Sequence, residues 1–466
     1  MLITLLVLLT LFLLVYAILM QTGRKAAMCF VIVVSLSLLF WIDRLLMLVL
    51  PGMALLTWGS SKLMTHVKRV FWKRFWLTLG ILFQLLPLVF FKYGNHWFSF
   101  ALDTISRDFI LSNVVMPLGI SFYVFRGISF CVDTYRQRCP ADVSLLEYLF
   151  FISFFPFLMA GPVVRATDFV PQIRNREPVN AALLYSGLFL LLLGILKKTI
   201  ADHIGVFNNW VFDNPQAYAG TDLVAAVVGF SMQVYVDFSG YSDMSIGLAA
   251  MLGFRIRDNF CFPYRACNVT DFWHRWHISL STWFRDYVYI PLGGNRHGMM
   301  RMLVALLLTM VLAGVWHGTG WLFLAWGVWH GLGLVFHKVL RPLLRHIPDH
   351  WFVKSVSWML TFCFVCLGWL IFRSYSVENM IYMVQHLFDG TDGLAVAAFL
   401  QERMLWCILV MVVLLSQFLQ RRHVYMLQAR FVWASWLTKL IIILLVLQIV
   451  IQFEQINIVP FIYNQF

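Results

Sequence analysis

Residues 271–286 read Asp-Phe-Trp-His-Arg-Trp-His-Ile-Ser-Leu-Ser-Thr-Trp-Phe-Arg-Asp and gather two histidines, two arginines and two aspartates. Further along the chain, His317 is the lone ionisable group in an apolar stretch. Imidazole groups take up and release protons near neutral pH, so they suit acid–base chemistry. Ionisable groups at membrane depth are costly and usually serve chemistry or transport. We therefore expect the function to lie with these residues.

The elements that position these residues must be membrane helices. The chain has 466 residues, of which 61% are hydrophobic and 12% charged, and its mean hydropathy is +0.79. A soluble domain cannot bury that much apolar surface. The apolar runs are continuous, not alternating, which excludes a transmembrane barrel. The sequence predicts an all-α polytopic membrane protein.

The net charge of +13 does not indicate a nucleic-acid partner. The basic residues cluster in short loops between apolar runs, which is the positive-inside pattern of a protein that resides in a lipid bilayer. The clusters are Arg24-Lys25; Lys62, Lys68, Arg69, Lys73 and Arg74; Arg136 and Arg138; 338–345; and Arg421-Arg422. Placing them in the cytoplasm predicts that both termini face the periplasm of a bacterial inner membrane. Residues 1–17 are expected to be a retained helix, since they lack a cleavage site.

A span needs about 20 apolar residues, and we predict about 11–13 transmembrane helices in one integral membrane domain over 1–466. The candidate spans are 2–20, 27–42, 45–60, 75–91, 112–132, 144–164, 181–198, 222–250, 302–337 (long enough for two), 352–373, 403–420 and 433–453.

Residues 254–300 differ from the rest of the chain. They are too polar to span and too aromatic for a solvated linker. Non-helical backbone at membrane depth is tolerated where it is buried in protein or lines a wet cavity. We predict a re-entrant catalytic segment that lines a cavity open to the cytoplasm, followed by a helical region, 301–338, that carries His317.

His317 is flanked by Trp316 and by glycines that permit close approach of backbone or substrate. A neutral imidazole in a site of low dielectric can serve as a general base. The alternative is a histidine that hydrogen-bonds across helices for packing alone.

His274 and His277 are three residues apart, so on one helix they would share a face. Metal ligation is one interpretation, but the ligand number of a metal site is not supplied nearby. We predict no metal, with one histidine catalytic and the other a polar lining residue. Cys363 and Cys366 lie in an apolar run and are expected to be inert thiols.

Asp237, Tyr241 and Asp243 interrupt the apolar run 222–250. Buried carboxylates are costly unless they are paired or line a cavity. They are either partners of Arg275 or Arg285 in an interhelical network, or a wall of the active site, and both can hold.

Six arginines are concentrated around the re-entrant segment: Arg255, Arg257, Arg265, Arg275, Arg285 and Arg296. Guanidinium groups suit phosphates, such as those of a coenzyme A donor that approaches from the cytoplasm. The alternative is anchoring to anionic lipid headgroups. Asp286 and Asn295 lie in the same segment and are further candidate lining residues.

Several motifs together resemble the membrane-bound O-acyltransferase (MBOAT) family, in its bacterial alginate O-acetylase (AlgI) and peptidoglycan O-acetyltransferase (PatA) group. The resemblance covers roughly 90–466. The matching strings begin at Met116 (MPLGISFY), Met159 (MAGP), Tyr235 (YVDFSGYSDMSIG), Phe272 (FWHRWHISLSTWFRD), Pro291 (PLGGNR), Gly314 (GVWHG), Trp326 (WGVWHG) and Pro460 (PFIYNQF).

The resemblance implies a funnel-shaped helical bundle whose two signature histidines are His317 and His277. It implies acetyl transfer from cytoplasmic acetyl-CoA, with no tightly bound cofactor, to a separate periplasmic acetyltransferase of SGNH type that esterifies a polysaccharide such as alginate, cellulose or peptidoglycan. The chain departs from the family pattern at three positions. Phe157 replaces a histidine, Arg126 replaces a glutamine or glutamate, and Asn464 replaces a phenylalanine.

The leading hypothesis is acetyl transfer, with His317 as general base or transient acyl acceptor and His277 polarising or relaying. Arg275, Trp276 and Asn295 are candidate oxyanion donors by location. One rival is a transporter that makes and breaks no bonds, although no internal repeat supports it. Another is a non-catalytic scaffold of a polysaccharide-modification complex. The loop 374–402 is a candidate docking surface for such partners.

Overall fold

Long apolar helices make up most of this computed structural model, which describes residues 2–42, 44–101, 119–158, 161–175, 179–344 and 350–453. No β-strand occurs in these ranges. The helices are α1 (Leu2–Thr22), α2 (Arg24–Ile42), α3 (Arg44–His66), α4 (Val70–Ala101), α5 (Ile120–Tyr135), α6 (Leu145–Ser153), α7 (Ala166–Arg174), α8 (Ala181–Asp213), α9 (Gly220–Met251), α10 (Val269–Arg275), α11 (Ile278–Phe284), α12 (Met299–His317), α13 (Trp321–Leu344), α14 (Trp351–Arg373), α15 (Val377–His386), α16 (Gly393–Glu402), α17 (Met404–Ser416), α18 (Arg421–Trp433) and α19 (Trp436–Gln452).

Seven of the described helices are long and apolar enough to cross a membrane, namely α2, α4, α8, α9, α12, α13 and α14. An eighth span results if α16 and α17, which meet at a bend of 94°, count as one. The all-α polytopic class is thereby confirmed. The number of 11–13 spans, the orientation of the termini and the membrane depth of 254–300 stay predictions. The terminal residues 454–466, with Asn464 and the last family string, lie outside the described ranges.

One of the predicted spans has a different form in the structure. The run 302–337 forms two helices, α12 and α13, as its length suggested. The run 144–164 does not form a span, since α6 has nine residues and is followed by a short 3₁₀ turn at Phe155–Phe157 and extended backbone. Ser144 and Glu147 form a capping box that begins α6, and Pro156 lies in the turn where α6 has ended.

The chain divides into two compact units, Met1–Leu188 with Ser245–Arg257, and Phe189–Met244 with Asp258–Phe466. The single integral membrane domain over 1–466 stays a prediction. The core of the first unit is aromatic, since Phe154 contacts Phe150, Phe157, Phe169 and Phe254 at ring-centroid distances of 5.1–5.3 Å.

Two of the departures from the family pattern meet in this first unit. Arg126 is 1% exposed, and it donates hydrogen bonds to the carbonyl oxygens of Phe151 at 3.1 Å and Phe157 at 3.4 Å. A helix that ends inside protein leaves carbonyl groups without intrahelical partners. Arg126 supplies those partners on both sides of the break after α6.

The second unit contains the residues expected to do chemistry, and its helices pack closely through glycines. A Cβ atom added at Gly194 of α8 would lie 2.5 Å from the carbonyl oxygen of Gly240 in α9, and one added at Gly240 would lie 2.9 Å from that of Gly194. Small residues are what allow membrane helices to approach in this way. The close approach lets Lys197 and Lys198 reach carboxylates on α9.

We expect Gly240→Ala to lower the stability of this unit by about 1–3 kcal/mol, because the added methyl group must separate two backbones. The measurement is the apparent melting temperature of the purified protein in detergent. Gly59→Ala in α3 is the matched control, since nothing lies within 4 Å of its added Cβ, and helix propensity alone should stabilise it slightly. Equal melting temperatures for the two variants would contradict the close packing.

Candidate active site

A cavity of about 450 Å³ lies within the second unit, between the hairpin α12–α13 and the segment that contains α10 and α11. Of the residues singled out from the sequence, it is lined by His274, Trp276, His277, Arg285, Asn295 and His317. His277 and His317 are buried, whereas His274, Arg285 and Asn295 are exposed. The cavity therefore has a polar outer part and a buried inner end that contains both signature histidines.

The α12–α13 hairpin positions His317. Gly314 and Gly327 let the two helices touch, because a Cβ added at Gly327 would lie 2.6 Å from the carbonyl oxygen of Met310, and one added at Gly314 would lie 3.1 Å from Gly327. His317 is the last residue of α12 and is 7% exposed. Its ring lies edge-on to Trp326 at 4.9 Å and to Phe372 at 5.1 Å. The imidazole is thus held in one orientation at the end of the cavity.

His277 lies at a break between two short helices. The chain leaves α10 at Arg275 and enters α11 at Ile278, and His277 has a left-handed φ of 40°. This conformation is uncommon for a residue other than glycine and is typical of functional sites. The expectation that His274 and His277 share one helical face is therefore wrong. They reach the same cavity from opposite sides of the break, His274 from α10 and His277 from the start of α11.

Asn259 sets the tautomer of His277. The Asn259 Oδ1 atom accepts hydrogen bonds from the backbone nitrogen of Ser279 at 3.1 Å and from its Oγ at 2.8 Å. A backbone N–H can only donate, so this contact fixes which end of the amide is the oxygen. His277 Nδ1 lies 3.2 Å from the same oxygen and must carry the proton. Nε2 then presents a lone pair.

The Nε2 atom of His277 is buried and has no hydrogen-bond partner among the residues that the structure describes. His277 belongs to the break between α10 and α11 and to none of the candidate membrane-spanning helices, and the Phe238 ring of α9 packs against it at 4.6 Å. Burial lowers the pKa of His277 to about 3, because removal from water disfavours the charged form. A neutral imidazole with an unshared lone pair can accept a hydrogen bond from a ligand, whereas the lowered pKa makes it a weak proton acceptor.

The outer part of the cavity carries positive charge. Lys338 lines it together with Arg285, whose Nε donates to Asp286 at 2.7 Å. Arg285 and Asp286 belong to a π-helical turn, Arg285–Tyr289, that continues α11, and such turns are frequent at functional sites. Asn295 accepts a hydrogen bond from the Tyr289 hydroxyl at 2.6 Å.

Other candidates from the sequence do not line this cavity. Arg275 is held by Asp271 at 2.9 Å and donates to the carbonyl oxygen of Cys261 at 3.3 Å. Trp316 and Arg296 are also not among the lining residues. In the described part of the chain, no three His, Cys, Asp or Glu side chains are grouped so that they could hold a metal ion.

The carboxylates of α9 have partners that the sequence analysis did not identify. Asp237 pairs with Lys198 at 2.9 Å, and Asp243 with Lys197 at 2.5 Å. The proposed pairing with Arg275 or Arg285 is therefore wrong, since those arginines use Asp271 and Asp286. Lys198 also pairs with Asp202 and lies over the Tyr241 ring at 5.7 Å. Asp237, Tyr241 and Asp243 hold α9 against α8 and are not lining residues of the cavity.

The signal for these pairs was present in the sequence. Two adjacent lysines in a long apolar helix are costly unless each meets an opposite charge, and α9 has carboxylates at the corresponding depth. Asn259 gave no comparable signal, because an asparagine in a loop has many possible roles and only the fold brings it to His277.

The fold and the site together define a polytopic membrane protein with two histidines at the buried end of an apolar cavity. The model of the membrane-bound O-acyltransferase family, MBOAT, matches residues 71–385, which is more than half of the chain. The chain therefore belongs to the membrane-bound O-acyltransferase family.

The chain is also similar to individual members of this family. The chain is 39% identical over 326 residues to the probable alginate O-acetylase AlgI of Azotobacter vinelandii, covering 68% of this chain and 63% of the relative. It is 30% identical over 404 residues to the peptidoglycan O-acetyltransferase of Helicobacter pylori, covering 81% and 74%. It is 30% identical over 275 residues to the teichoic acid D-alanyltransferase of Bacillus subtilis, covering 56% and 69%. The chain spans less than two thirds of the length of the alginate O-acetylases that it matches.

The tautomer of His277 can be tested without any activity assay. In protein labelled with ¹⁵N-histidine, we expect one ring with a protonated Nδ1 and an unprotonated Nε2, and its signals should vanish in His277→Gln. Asn259→Leu should abolish this fixed tautomer because no acceptor then faces Nδ1, whereas Asn259→Asp should keep it. Asn208→Leu is the control, since Asn208 is buried and bonds Gln233 instead. An unchanged spectrum in Asn259→Leu would refute the assignment.

Proposed function

We propose that this protein is a membrane O-acetyltransferase that takes acetyl from cytoplasmic acetyl-CoA for the O-acetylation of a cell-surface polysaccharide. The observation that carries the proposal is a cavity with a basic outer part and an apolar wall, at whose buried end His317 and the lone pair of His277 Nε2 are found. Family membership and the O-acetyltransferase names of two of the relatives support the same activity.

The cavity suits a coenzyme A thioester in three ways. Lys338 and Arg285 are cations at its outer part, where the nucleotide phosphates would bind. Leu306, Met310 and Leu334 form an apolar wall for the pantetheine arm. The spacing along α13 from Lys338 to Trp326 corresponds to roughly 18 Å of helix, so a long, thin donor is needed to bring a reactive group from one end to the other. Acetyl-CoA has that form, and no tightly bound cofactor is required.

The chemistry is attack of an acceptor hydroxyl on the thioester carbonyl. An imidazole nitrogen takes the hydroxyl proton while the oxygen–carbon bond forms. The carbon–sulfur bond then breaks, and the leaving thiolate receives the proton. His277 is assigned to the relay step and not to polarisation, because its Nε2 carries no proton to donate to a carbonyl. His317 serves as general base or transient acyl acceptor, as the sequence analysis proposed.

The oxyanion formed during attack needs a hydrogen-bond donor within reach. Trp276 and Asn295 line the cavity and remain candidates. Arg275 is a weaker candidate, because Asp271 and the carbonyl oxygen of Cys261 already hold its guanidinium.

The acetyl group would cross the bacterial inner membrane through the protein and be received by a separate periplasmic acetyltransferase of SGNH type. Alginate-like exopolysaccharide and peptidoglycan are the leading final acceptors, since they are named by two relatives, with cellulose as a further one. The periplasmic position of the termini belongs to this proposal as well.

The direct test is coenzyme A release from acetyl-CoA by the protein in nanodiscs, with a small alcohol supplied as the acceptor hydroxyl. We expect His317→Ala and His277→Gln to lower the rate at least about 100-fold, in line with loss of a general base. The control is His423→Gln, a histidine of α18 that does not line the cavity. If the protein is instead a transporter, coenzyme A release should be the same in wild type and His317→Ala, while the transport of the acylated donor or glycan falls in the variant. Acetyl-enzyme trapped by hydroxylamine in wild type but not in His317→Ala would favour the covalent route over direct transfer.

The same variants identify the acceptor in cells. Ester-linked acetate is measured in purified peptidoglycan and in secreted polysaccharide from a deletion host. We expect wild type to restore acetate in one polymer and His317→Ala to restore none at equal protein level. Equal acetate from both would favour the scaffold hypothesis.

The outer part of the cavity is tested through Lys338. We expect Lys338→Gln to raise KM for acetyl-CoA by about 3- to 10-fold with little change in kcat, since it removes a phosphate contact far from the reacting carbon. Acetyl-pantetheine lacks the nucleotide phosphates and should be turned over equally by both proteins. Lys354→Gln, at the start of α14, is the matched control. An equal effect of Lys338→Gln on both donors would contradict phosphate recognition.

A further inference from the structure

A second cavity, of about 460 Å³, lies in the same unit at the turn between α12 and α13. Its walls also include the end of α8, with Asn209 and Asp213, and the segment that follows α14, with Arg373 and Tyr375. None of its lining residues lines the first cavity. Tyr375 belongs to the loop 374–402 that was predicted as a docking surface, whereas Asn209, Asp213 and Arg373 had no predicted role.

Arg373 is the unusual member of this cavity. It is 3% exposed, yet in the described part of the chain its guanidinium makes one hydrogen bond, from Nη2 to Asn209 Oδ1 at 3.0 Å. A looser ion pair joins it to Asp213 at 3.5 Å. An arginine has five N–H donors, so most of them lack a hydrogen-bond acceptor. The Phe212 and Phe230 rings pack on the guanidinium at 5.4 and 6.0 Å, and the remaining donors are not fully enclosed by protein, so a ligand acceptor in the cavity can reach them.

The rest of the cavity presents exposed aromatic rings and small polar groups. Trp321 is 78% exposed and Tyr375 is 65% exposed, and the Tyr375 ring lies 4.7 Å from the centre of the Arg373 guanidinium. Ser374 and Ser376 line the same space. Flat apolar faces beside hydroxyl, amide and charged groups suit a ligand that has an apolar ring face and many hydroxyls.

Only a layer of rings separates this cavity from the buried end of the first one. Phe372, the residue before Arg373, contacts His317 at 5.1 Å, Trp326 at 5.6 Å and Phe323 at 5.2 Å. His317 and Trp326 line the first cavity and Phe323 lines the second. A ligand in the second cavity would therefore lie across one aromatic layer from the histidine that we assign to chemistry.

We propose that the second cavity binds a carboxylate-bearing saccharide, with Arg373 holding the carboxylate and Trp321 packing against the sugar ring. A planar carboxylate can satisfy two guanidinium donors at once. Asp213 favours a singly charged carboxylate over a phosphate, because a second negative charge beside it would add repulsion. This proposal rests on the proposed function in one respect, namely that the saccharide belongs to the acceptor side of the acetyl transfer.

The experiment is calorimetric titration of the protein in nanodiscs, without acetyl-CoA, with a linear tetrasaccharide of uronic acid units. The matched probe is the same tetrasaccharide with its carboxyl groups reduced to alcohols. We expect the acid to bind about 10- to 100-fold more tightly than the reduced form, as for a hydrogen bond to a charged group. Arg373→Gln should bring the affinity for the acid down to that for the reduced form.

Two further variants keep the test decisive if Arg373→Gln unfolds. Arg373→Lys keeps the charge without the planar fork and should weaken binding of the acid by several-fold. Trp321→Ala should weaken both probes alike, while Trp433→Ala, an equally exposed tryptophan of α18, should change neither. Equal affinity for the acid and the reduced form, no effect of the Arg373 variants, or binding of only a peptide acid or a sugar phosphate would overturn the proposal.

Failure here is distinguishable from failure of the proposed function. Saccharide binding is measured without a donor, and coenzyme A release is measured without a saccharide. Each result therefore stands whatever the other shows.

Discussion

The contact of α12 with α13 at Gly314 and Gly327 is the constraint on which the site depends. Because both positions lack a side chain, the two helices touch backbone to backbone, and the chain turns within the few residues after His317. That turn places His317 at the end of one helix and Trp326 near the start of the next. Lipid offers no hydrophobic drive for helix association, so such packing must come from close van der Waals contact.

Polar groups elsewhere in the second unit follow one rule, which is that each buried charge or amide has a specific partner. Lys197 and Lys198 neutralise the α9 carboxylates, and Asn259 accepts three hydrogen bonds around His277. Among the buried polar atoms that lack a hydrogen-bond partner in the described chain, His277 Nε2, Trp273 Nε1 and Trp326 Nε1 belong to residues that line the first cavity. In the second cavity, Arg373 has donors beyond the one that bonds Asn209.

The sequence predicted the fold class and much of the cavity, for physical reasons that have limits. Apolar length identifies membrane helices, so the class and the two helices within 302–337 were predictable. The break of the chain at His277 was not, because it depends on a left-handed residue between two helical turns. The wrong partners for Asp237 and Asp243 have a similar cause, since charge type is readable from sequence but proximity is not. The roles of Asn259 and Arg373 could be recognised only from the structure, because their partners are distant in sequence and are brought to them by folding.

The α12–α13 hairpin has a final consequence, since its inner faces line one cavity and its turn lines the other. The hairpin is thus shared by the two cavities that we propose as ligand sites. Any displacement of the hairpin that one ligand favours must alter the affinity for the second ligand, and the second must alter the first by the same factor. The Phe372 ring, which contacts His317, Trp326 and Phe323, lies where such a displacement would pass from one cavity to the other.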